Sequence, residues 1–316
     1  MAYKVMVTPR SFGKGNSQPI DILRENGCEL VLNPYGRILN KQEMAEMIRD
    51  ADAVIVGVDP IDQEVLEQAT KLKVISKYGV GTDNIDLNYA RDKGIPVTVT
   101  NGANKDAVAD YTMTLMLAAA RKMIPIDKAC RQLNWNKITS VDVWGKTLGL
   151  IGLGAIGKSV AARAKGFNMD IIAYDLMKDE TYASENQIKY VSLDELLRCA
   201  DFISLHLPLT DKTLHLIGAQ ELASMKETAV IVNTARGGLI HEQALLEALK
   251  EKRIWGAGLD VFEQEPPQDK GFLELDNLII GSHCAASTYQ AIENMGIMAA
   301  ANVLEHLKQS SLMEGK

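Results

Sequence analysis

Thr147-Leu148-Gly149-Leu150-Ile151-Gly152-Leu153-Gly154-Ala155-Ile156-Gly157 is the stretch that decides the fold of this chain. An apolar run leads into three glycines, and a helix-like segment, Lys158–Lys165, follows them. G-x-G-x-x-G between a strand and a helix is typical of dinucleotide-binding proteins. The first glycine permits the tight turn, the second lets a pyrophosphate approach the backbone, and the third lets the helix pack closely on the strand. The helix N-terminus then offers free N–H groups to the phosphates.

A carboxylate follows this motif at the expected distance. The next predicted strand, Asp170–Tyr174, ends at Asp175, which lies 18 residues after Gly157. A carboxylate at that place can accept hydrogen bonds from both ribose hydroxyls of an adenosine, and it repels a 2′-phosphate. The alternative is an ordinary β-α-β turn that ends in a surface aspartate.

Composition bounds the class of protein. The 316 residues are enough for two domains, and the net charge of −7 argues against a general nucleic-acid-binding protein. The N-terminus predicts a strand rather than a signal peptide, and the longest apolar run, Met113–Ala120, is too short to span a bilayer. The four cysteines (Cys28, Cys130, Cys199 and Cys284) show no paired spacing, so neither a metal site nor a disulfide is predicted. We expect a cytoplasmic protein that binds neither nucleic acid nor membrane.

Short apolar strands alternate with helices in the N-terminal part of the chain. The predicted strands are Lys4–Thr8, Cys28–Asn33, Ala53–Gly57, Leu72–Ser76 and Ile95–Val99, and the predicted helices are Gln18–Glu25, Lys41–Arg49 and Asp62–Ala69. This alternation predicts an α/β domain with a parallel, flavodoxin-like sheet of about five strands. We assign this smaller, substrate-binding (catalytic) domain to residues 1–101 and 285–316.

A second β-α series starts at Thr147. Its predicted strands are Thr147–Ile151, Asp170–Tyr174, Ile188–Val191, Asp201–Leu207, Ala229–Asn233, Ile254–Leu259 and Leu278–Gly281. The series predicts a Rossmann domain, a doubly wound parallel sheet that is inserted into the first domain and comprises residues 102–284.

Two long helical segments flank the second series. Asn104–Cys130 is rich in Met, Leu and Ala, with a predicted break at Pro125. It packs against a partner subunit or forms a buried core helix. Ser287–Leu307 is expected to return to the first domain, and the tail from Gln309 is expected to be disordered.

Three polar residues, Arg236, Glu265 and His283, follow strands of the second series. Ligands bind at the carboxyl ends of strands in an open α/β sheet. An arginine fork can hold a carboxylate, and an imidazole can take a hydroxyl proton near neutral pH. A carboxylate on the other imidazole nitrogen fixes the tautomer and favours the protonated form. Each residue alone could be an ordinary surface or strand-end residue, but together they indicate hydride transfer at an alcohol carbon.

Several longer motifs accompany these residues. They are Lys77-Tyr78-Gly79-Val80-Gly81-Thr82-Asp83-Asn84-Ile85-Asp86, His206-Leu207-Pro208-Leu209-Thr210, Thr234-Ala235-Arg236-Gly237, Asp260-Val261-Phe262 and Glu265-Pro266. With the glycine motif and His283, they resemble the D-isomer-specific 2-hydroxyacid dehydrogenase family, most of all its short phosphoglycerate-dehydrogenase-type members. The resemblance covers essentially the whole chain.

The resemblance implies a role for each of these residues. His283 would be the acid/base, Glu265 its orienting partner, and Arg236 the substrate clamp. The Val80 and Gly81 amides would hold the substrate carboxylate from the first domain, in a cleft between the domains. The cofactor would be NAD, with no metal, and its candidate contacts are Gly152, Gly154, Ala155, Ile156, Gly157, Asp175, Thr234, Ala235, Arg236, Asp260, His283, Ala286, Thr100 and Val108. Asp260 would accept from the nicotinamide carboxamide, and the protein would be a homodimer.

Two departures from the family pattern stand out. The family commonly has Pro-His-Ile-Gly-Gly around its histidine, whereas this chain has Ser282-His283-Cys284-Ala285-Ala286. We interpret Cys284 as a small buried apolar residue rather than a nucleophile, because neighbours on an extended segment point to opposite sides. Lys77 stands where phosphoglycerate enzymes often carry arginine, and it suits an acidic distal group as a point charge.

The sequence therefore predicts an NAD-dependent oxidoreductase that interconverts a small 2-hydroxy acid and its 2-oxo acid. 3-Phosphoglycerate is the first candidate substrate. Hydroxypyruvate, glyoxylate and other acidic hydroxy acids such as sulfolactate are alternatives. A hypothesis from a different class is an NAD-gated binding protein, as in transcriptional co-repressors related to the family.

Overall fold

Two parallel sheets organise the chain in the computed structural model, which describes the backbone of residues 2–314 and the side chains of residues 2–310. The strands are β1 (Tyr3–Val7), β2 (Cys28–Leu32), β3 (Ala53–Val56), β4 (Val74–Lys77), β5 (Val97–Val99), β6 (Thr147–Ile151), β7 (Asp170–Tyr174), β8 (Lys189–Tyr190), β9 (Phe202–Leu205), β10 (Val230–Asn233), β11 (Gly256–Leu259) and β12 (Leu278–Ile280). The α-helices are α1 (Gln18–Glu25), α2 (Lys41–Ile48), α3 (Gln63–Glu67), α4 (Leu87–Asp92), α5 (Lys105–Ala120), α6 (Met123–Arg131), α7 (Ala155–Ala164), α8 (Glu180–Glu185), α9 (Leu193–Cys199), α10 (Ala219–Ser224), α11 (Glu242–Lys250) and α12 (Tyr289–Glu314).

One compact unit comprises Met1–Asn104 and Ser287–Lys316, and we call it the flavodoxin-like unit. Within the described residues its sheet has five strands in the order β2-β1-β3-β4-β5, all parallel. Helix α12 packs against α1, β3 and β4. Strands β3 and β4 are buried along their whole length because helices cover both faces of the sheet. The strand order is the flavodoxin-like one that the sequence predicts.

The other compact unit, Lys105–Ala286, is called the Rossmann unit. Its described strands form a seven-stranded parallel sheet in the order β12-β11-β10-β9-β6-β7-β8. The chain builds outward from β6 in one direction and then from β9 in the other. The strand order therefore reverses between β6 and β9, and a ligand crevice forms outside the carboxyl ends of strands at such a point. The α/β fold class with two doubly wound parallel sheets is confirmed.

The central strands of the Rossmann unit bury both faces. Phe202 and Val230 pack into one apolar cluster, whereas the next residues along, Ile203 and Ile231, pack into another. Successive side chains of a strand point to opposite faces, so each strand contributes to two cores. This double burial explains why apolar residues occupy both faces of β9 and β10.

The long segment after the first sheet forms two helices rather than one. Helix α5 is the buried core helix that was one of the two alternatives, and it packs against α7, β10 and β11. The helix breaks at Lys122, which has a left-handed backbone (φ 52°). The predicted break at Pro125 is wrong because Pro125 lies in the first turn of α6, where its missing N–H leaves no hydrogen bond unmade.

Three other local features differ from what the sequence analysis provides. Helices α4 and α8 were not predicted, because both are short and polar and carry little apolar periodicity. Helix α12 continues to Glu314, so the disorder expected from Gln309 is wrong as far as the chain is described. Residues 315 and 316 of that expected tail lie outside the described residues.

Candidate active site

The glycine turn between β6 and α7 has the shape that a dinucleotide requires. Gly152 has a left-handed backbone (φ 100°), and a Cβ there would lie 2.6 Å from the carbonyl oxygen of His206. A Cβ at Gly157 would overlap the carbonyl oxygen of Gly152. Gly154, by contrast, has open space around the place of its missing Cβ, and as the N-cap of α7 it makes no side-chain capping bond. The turn therefore presents open backbone at a helix N-terminus, which fits a pyrophosphate.

Asp175 lies beside this turn, after the carboxyl end of β7. Its Oδ2 accepts a hydrogen bond from the Leu153 amide at 2.7 Å, and its Oδ1 accepts one from the Met177 amide at 2.8 Å. These two bonds fix the carboxylate next to the turn. Each carboxylate oxygen can accept a further hydrogen bond, so the arrangement fits the ribose hydroxyls of an adenosine.

His283 and Glu265 are brought together by the loops after β12 and β11. His283 Nδ1 lies 2.8 Å from Glu265 Oε2 and 3.1 Å from Oε1. Both side chains are 39% exposed, so the pair is half-buried but reachable. Because Nδ1 is bound to the carboxylate, Nε2 is the ring nitrogen that can exchange a proton with a ligand.

Glu265 stays ionised beside the imidazole. Burial alone would raise the pKa of Glu265, but its hydrogen bond to His283 and the histidine's charge lower it. The Phe262 amide, which donates to Oε1 at 3.2 Å, and the charge of Arg236 act in the same direction. The pKa of Glu265 is therefore held below its usual range, and the carboxylate is ready to stabilise an imidazolium.

His206 is a second histidine at a strand end, but its environment disfavours a charge. Its Nε2 lies 3.0 Å from the Ser204 hydroxyl. Burial lowers the pKa of His206 to about 3, so this imidazole stays neutral. Of these two strand-end histidines, His283 is the one that lies against a carboxylate.

Arg236 sits on a loop that Asn233 organises. Asn233 Oδ1 accepts from the Ala235 amide at 3.0 Å, and its Nδ2 donates to the Arg236 carbonyl at 2.8 Å. The neighbouring Thr234 is buried, with its hydroxyl 2.8 Å from that of Thr112 on α5. Sequence reasoning missed Asn233, although a buried asparagine that ends an apolar strand before two glycines is a turn signal.

Asp260 holds the backbone that carries His283. Its carboxylate is 1% exposed and accepts from the Cys284 amide at 3.0 Å and from the Ala285 amide at 2.8 Å. Its backbone carbonyl accepts from the His283 amide at 2.8 Å. His283 has a left-handed backbone (φ 55°), which is uncommon outside glycine and has to be imposed by its surroundings. A Cβ at Gly281 would overlap Asp260 Oδ1, so this close approach requires a glycine there.

Cys284 differs from the prediction of a small buried apolar residue. It is half-buried, and its thiol lies 3.6 Å from Asp260 Oδ1, as a weak donor. Burial, then a hydrogen bond with Cys284, raises the pKa of the Tyr111 phenol, so Tyr111 stays neutral. The thiol thus takes part in a polar network with Asp260 and Tyr111, which the periodicity of the segment did not indicate.

Lys77 and Thr100 make internal bonds within the flavodoxin-like unit. Lys77 is 5% exposed, and its Nζ donates to Asn84 Oδ1 at 2.8 Å and to the Gly57 carbonyl. Thr100 is fully buried, and its hydroxyl accepts from the Gly79 amide at 2.8 Å. Both side chains therefore brace the turn after β4.

The remaining candidates occupy different surroundings. Val80 is exposed and Gly81 half-buried on the turn after β4, whereas Val108 is buried within α5. Ala286 is half-buried at the end of the His283 loop.

Two kinds of feature are absent from the described residues. They contain no group of three or more His, Cys, Asp or Glu side chains placed to hold a metal ion. Over the same residues, no helix combines the length and apolar character needed to cross a membrane.

Comparisons with known proteins agree with the fold. Residues 113–285 match the family described as "D-isomer specific 2-hydroxyacid dehydrogenase, NAD binding domain". A glyoxylate reductase from Korarchaeum cryptofilum is 43% identical over 273 residues, which is 84% of this chain and 82% of that protein. A D-3-phosphoglycerate dehydrogenase from Methanocaldococcus jannaschii is 46% identical over 297 residues, but these are 91% of this chain and only 56% of that protein.

A solved structure gives the same result at the level of the fold. The TT0316 protein from Thermus thermophilus matches with a TM-score of 0.87 and 37% identity, over 97% of both chains. The family match and the relatives indicate the same family, and the glycine turn after β6 has the shape that its dinucleotide cofactor requires. The chain belongs to the D-isomer specific 2-hydroxyacid dehydrogenase family and is an NAD-dependent oxidoreductase.

Proposed function

We propose that this protein interconverts a small 2-hydroxy acid and its 2-oxo acid with His283 as the acid/base. The observation that carries the proposal is the bond between His283 Nδ1 and the ionised Glu265. It fixes the imidazole so that Nε2 can take the hydroxyl proton in oxidation and return it in reduction. Glu265 stabilises the imidazolium that forms. Arg236, on the neighbouring strand-end loop, holds the substrate carboxylate through its guanidinium fork.

The cofactor that these residues would hold is NAD, which would supply the acceptor and donor of the hydride. The open Gly154 turn at the α7 N-terminus supports a pyrophosphate contact, and Asp175 supports a ribose contact. We keep the other predicted contacts as proposals: Gly152, Ala155, Ile156, Gly157, Thr234, Ala235, Arg236, Asp260, His283, Ala286, Thr100 and Val108. The amides of Val80 and Gly81 remain proposed ligands of the substrate carboxylate.

The candidate substrates are glyoxylate, hydroxypyruvate and 3-phosphoglycerate. Relatives named for glyoxylate and for phosphoglycerate resemble this chain to a similar degree. Lys77, the expected partner of a distal phosphate, is 5% exposed and donates to protein oxygens. This burial favours acids without a second charged group, so we rank glyoxylate and hydroxypyruvate ahead of 3-phosphoglycerate.

The first prediction concerns turnover. The purified protein is expected to oxidise NADH when it is given a panel of 2-oxo acids. It is expected to reduce NAD when it is given the matching 2-hydroxy acids. His283→Asn should lower kcat by roughly 10²- to 10⁴-fold, the usual contribution of a general acid/base, while the dissociation constant of NAD changes far less than kcat does. Absorbance of the reduced cofactor measures the rate. A wild-type protein that binds NAD but turns over no acid at any pH would instead support the NAD-gated binding protein.

The second prediction concerns pH. Oxidation needs a neutral His283, so kcat/KM should rise with pH as the imidazolium loses its proton. Glu265→Gln removes the charge that stabilises the imidazolium, so the midpoint of this rise should move to lower pH. The lowered pKa of Glu265 keeps the wild-type carboxylate ionised across this range. Glu274→Gln, on an exposed glutamate, is the control, and an unmoved midpoint in Glu265→Gln would refute the pairing.

The third prediction concerns cofactor choice. Asp175→Ala removes the acceptor of the ribose hydroxyls, so the affinity for NAD should fall roughly ten-fold or more and the preference against NADP should relax. Titration of both cofactors measures the ratio, and Asp194→Ala, on an exposed helical aspartate, is the control. An unchanged NAD/NADP ratio would remove Asp175 from the adenosine site.

We infer that the protein is a homodimer, and that the partner contact includes the segment around α6. No described residue of α6 is buried, and several large apolar side chains around it are exposed: Met123, Ile124, Leu133, Trp135, Ile138 and Trp144. Leu133 is 88% and Trp135 79% exposed. So many exposed large apolar side chains within one short stretch of sequence are typical of an interface.

The fourth prediction tests this interface. Leu133→Asp should raise the dimer dissociation constant roughly 30-fold, as expected for an interface residue worth about 2 kcal/mol. Sedimentation or light scattering over a dilution series measures it. Leu273→Asp makes the same change at a residue that is 64% exposed in another part of the chain and should leave the assembly intact. Equal behaviour of the two variants, or a monomeric wild type, would contradict the interface.

A further inference from the structure

The segment that carries Glu265 is tethered two residues earlier, at Glu263. The backbone amide of Glu263 donates to Oε1 of Glu242 at 2.6 Å. The side chain of Glu263 is also held, because its Oε1 lies 3.0 Å from Nε2 of His215. Glu242 begins α11, and His215 lies on the loop after β9. Two neighbouring elements of the Rossmann unit therefore fix one residue of the Glu265 segment.

These anchoring residues are themselves fixed. His241 is the N-cap of α11, and its Nδ1 accepts from the Ala244 amide at 3.2 Å. The His241 ring packs edge-on against the His215 ring, with centroids 4.6 Å apart. The backbone of His215 donates to the Gly238 carbonyl at 2.6 Å. Glu242 thus extends from a capped helix end, and the adjacent residues His241 and His215 are themselves fixed by hydrogen bonds and by their ring contact.

Glu242 is a half-buried carboxylate among other charged groups. Burial raises its pKa, and the negative charges of Glu263 and Asp269 act in the same direction. The hydrogen bond from the Glu263 amide and the charge of His215 lower it. A carboxylate in such surroundings is costly unless its hydrogen bonds are made. The bond to the Glu263 amide is therefore a substantial part of what holds Glu242 and the segment together.

The segment that carries Glu265 has little room to move toward the loop that carries Arg236. A Cβ at Gly237 would overlap the carbonyl group of Phe262, so the backbones of the Arg236 loop and the Glu265 segment are in direct contact. The Phe262 amide also donates to Glu265 Oε1 at 3.2 Å, which closes the turn on itself. A displacement of Glu263 would consequently be passed on to Glu265 as a movement of the whole turn.

We propose that Glu242 is a positioning residue for the proton transfer: by accepting the Glu263 amide it holds the Glu265 turn where the carboxylate reaches Nδ1 of His283. The proposal rests on the acid/base role of His283 put forward above. Glu242 acts through Glu265, and an acceptor oxygen at its position is what the role requires.

The test compares three substitutions in the full-length protein. Glu242→Ala should lower kcat roughly 10- to 100-fold, the scale expected when a reacting group is misplaced by about 1 Å. The dissociation constant of NAD should be unchanged, because the glycine turn and Asp175 are untouched. Glu242→Gln keeps an acceptor oxygen and should recover most of the lost kcat. Glu242→Asp keeps the charge but falls short of the amide, so its kcat should lie between those of the wild type and Glu242→Ala.

The pH profile separates positioning from a merely structural role. In Glu242→Ala the misplaced Glu265 stabilises the imidazolium less, so the acid-side midpoint of kcat/KM for oxidation should move to lower pH. The charge of Arg236 also lowers the pKa of Glu265, and Arg236 is not changed in this variant. Glu247→Ala, which removes an exposed carboxylate from the same helix, is the matched control for kcat, pH profile and thermal unfolding midpoint.

The outcomes are distinguishable. A folded Glu242→Ala protein with wild-type kcat and an unmoved pH midpoint would overturn the proposal, and so would a Glu242→Gln protein as impaired as Glu242→Ala. If Glu242→Ala fails to fold, kcat and the pH midpoint are measured for Glu242→Asp and Glu242→Gln instead. A wild-type kcat with an unmoved midpoint in Glu242→Asp, or a Glu242→Gln protein more impaired than Glu242→Asp, would then overturn the proposal. Failure of the proposed function gives a different result, because the wild-type protein would then turn over no 2-hydroxy acid.

Discussion

One buried carboxylate, that of Asp260, fixes the backbone around His283. Its two oxygens accept from consecutive amides, Cys284 and Ala285, while its own carbonyl accepts from the His283 amide. These bonds impose a left-handed backbone on a residue that rarely adopts it. The direction of the imidazole, and hence its bond to Glu265, depends on this arrangement. An aspartate read in the sequence as a cofactor contact is therefore also the support of the proposed base.

The doubly wound sheet makes that support possible. Strands β9 to β12 run parallel in adjacent positions, so the loops that follow them meet at one edge. The loop after β10 carries Arg236, the loop after β11 carries both Asp260 and Glu265, and the loop after β12 carries His283. Residues far apart in the chain thus become neighbours because of strand order alone. The burial of β9, β10 and β11 fixes the register on which the geometry depends.

Most of the fold and the core of the site follow from the sequence, because their signals are local. Short buried strands between helices predict the two sheets, and strand-end chemistry predicts the contact of His283 with Glu265. The bond of Asn233 to its own loop, the anchoring of Glu263 by Glu242 and the network of Cys284 could not be predicted, because they join side chains to backbone groups whose conformations no periodicity encodes. The break at Lys122 was missed for a similar reason, since a left-handed lysine has no composition signal.

The contacts that Asp260 makes with the loop after β12 also bear on how that loop can diverge. Apart from the weak bond to the Cys284 thiol, they are made to main-chain N–H groups, which every residue except proline provides. The half-buried side chain at 284 can therefore change during evolution without loss of these backbone bonds. The family resemblance implies Ile-Gly-Gly after the histidine, and Cys284-Ala285-Ala286 provides main-chain N–H groups at the same places. Sequence drift in this loop can alter the surface beside the imidazole while the proposed acid/base keeps its place.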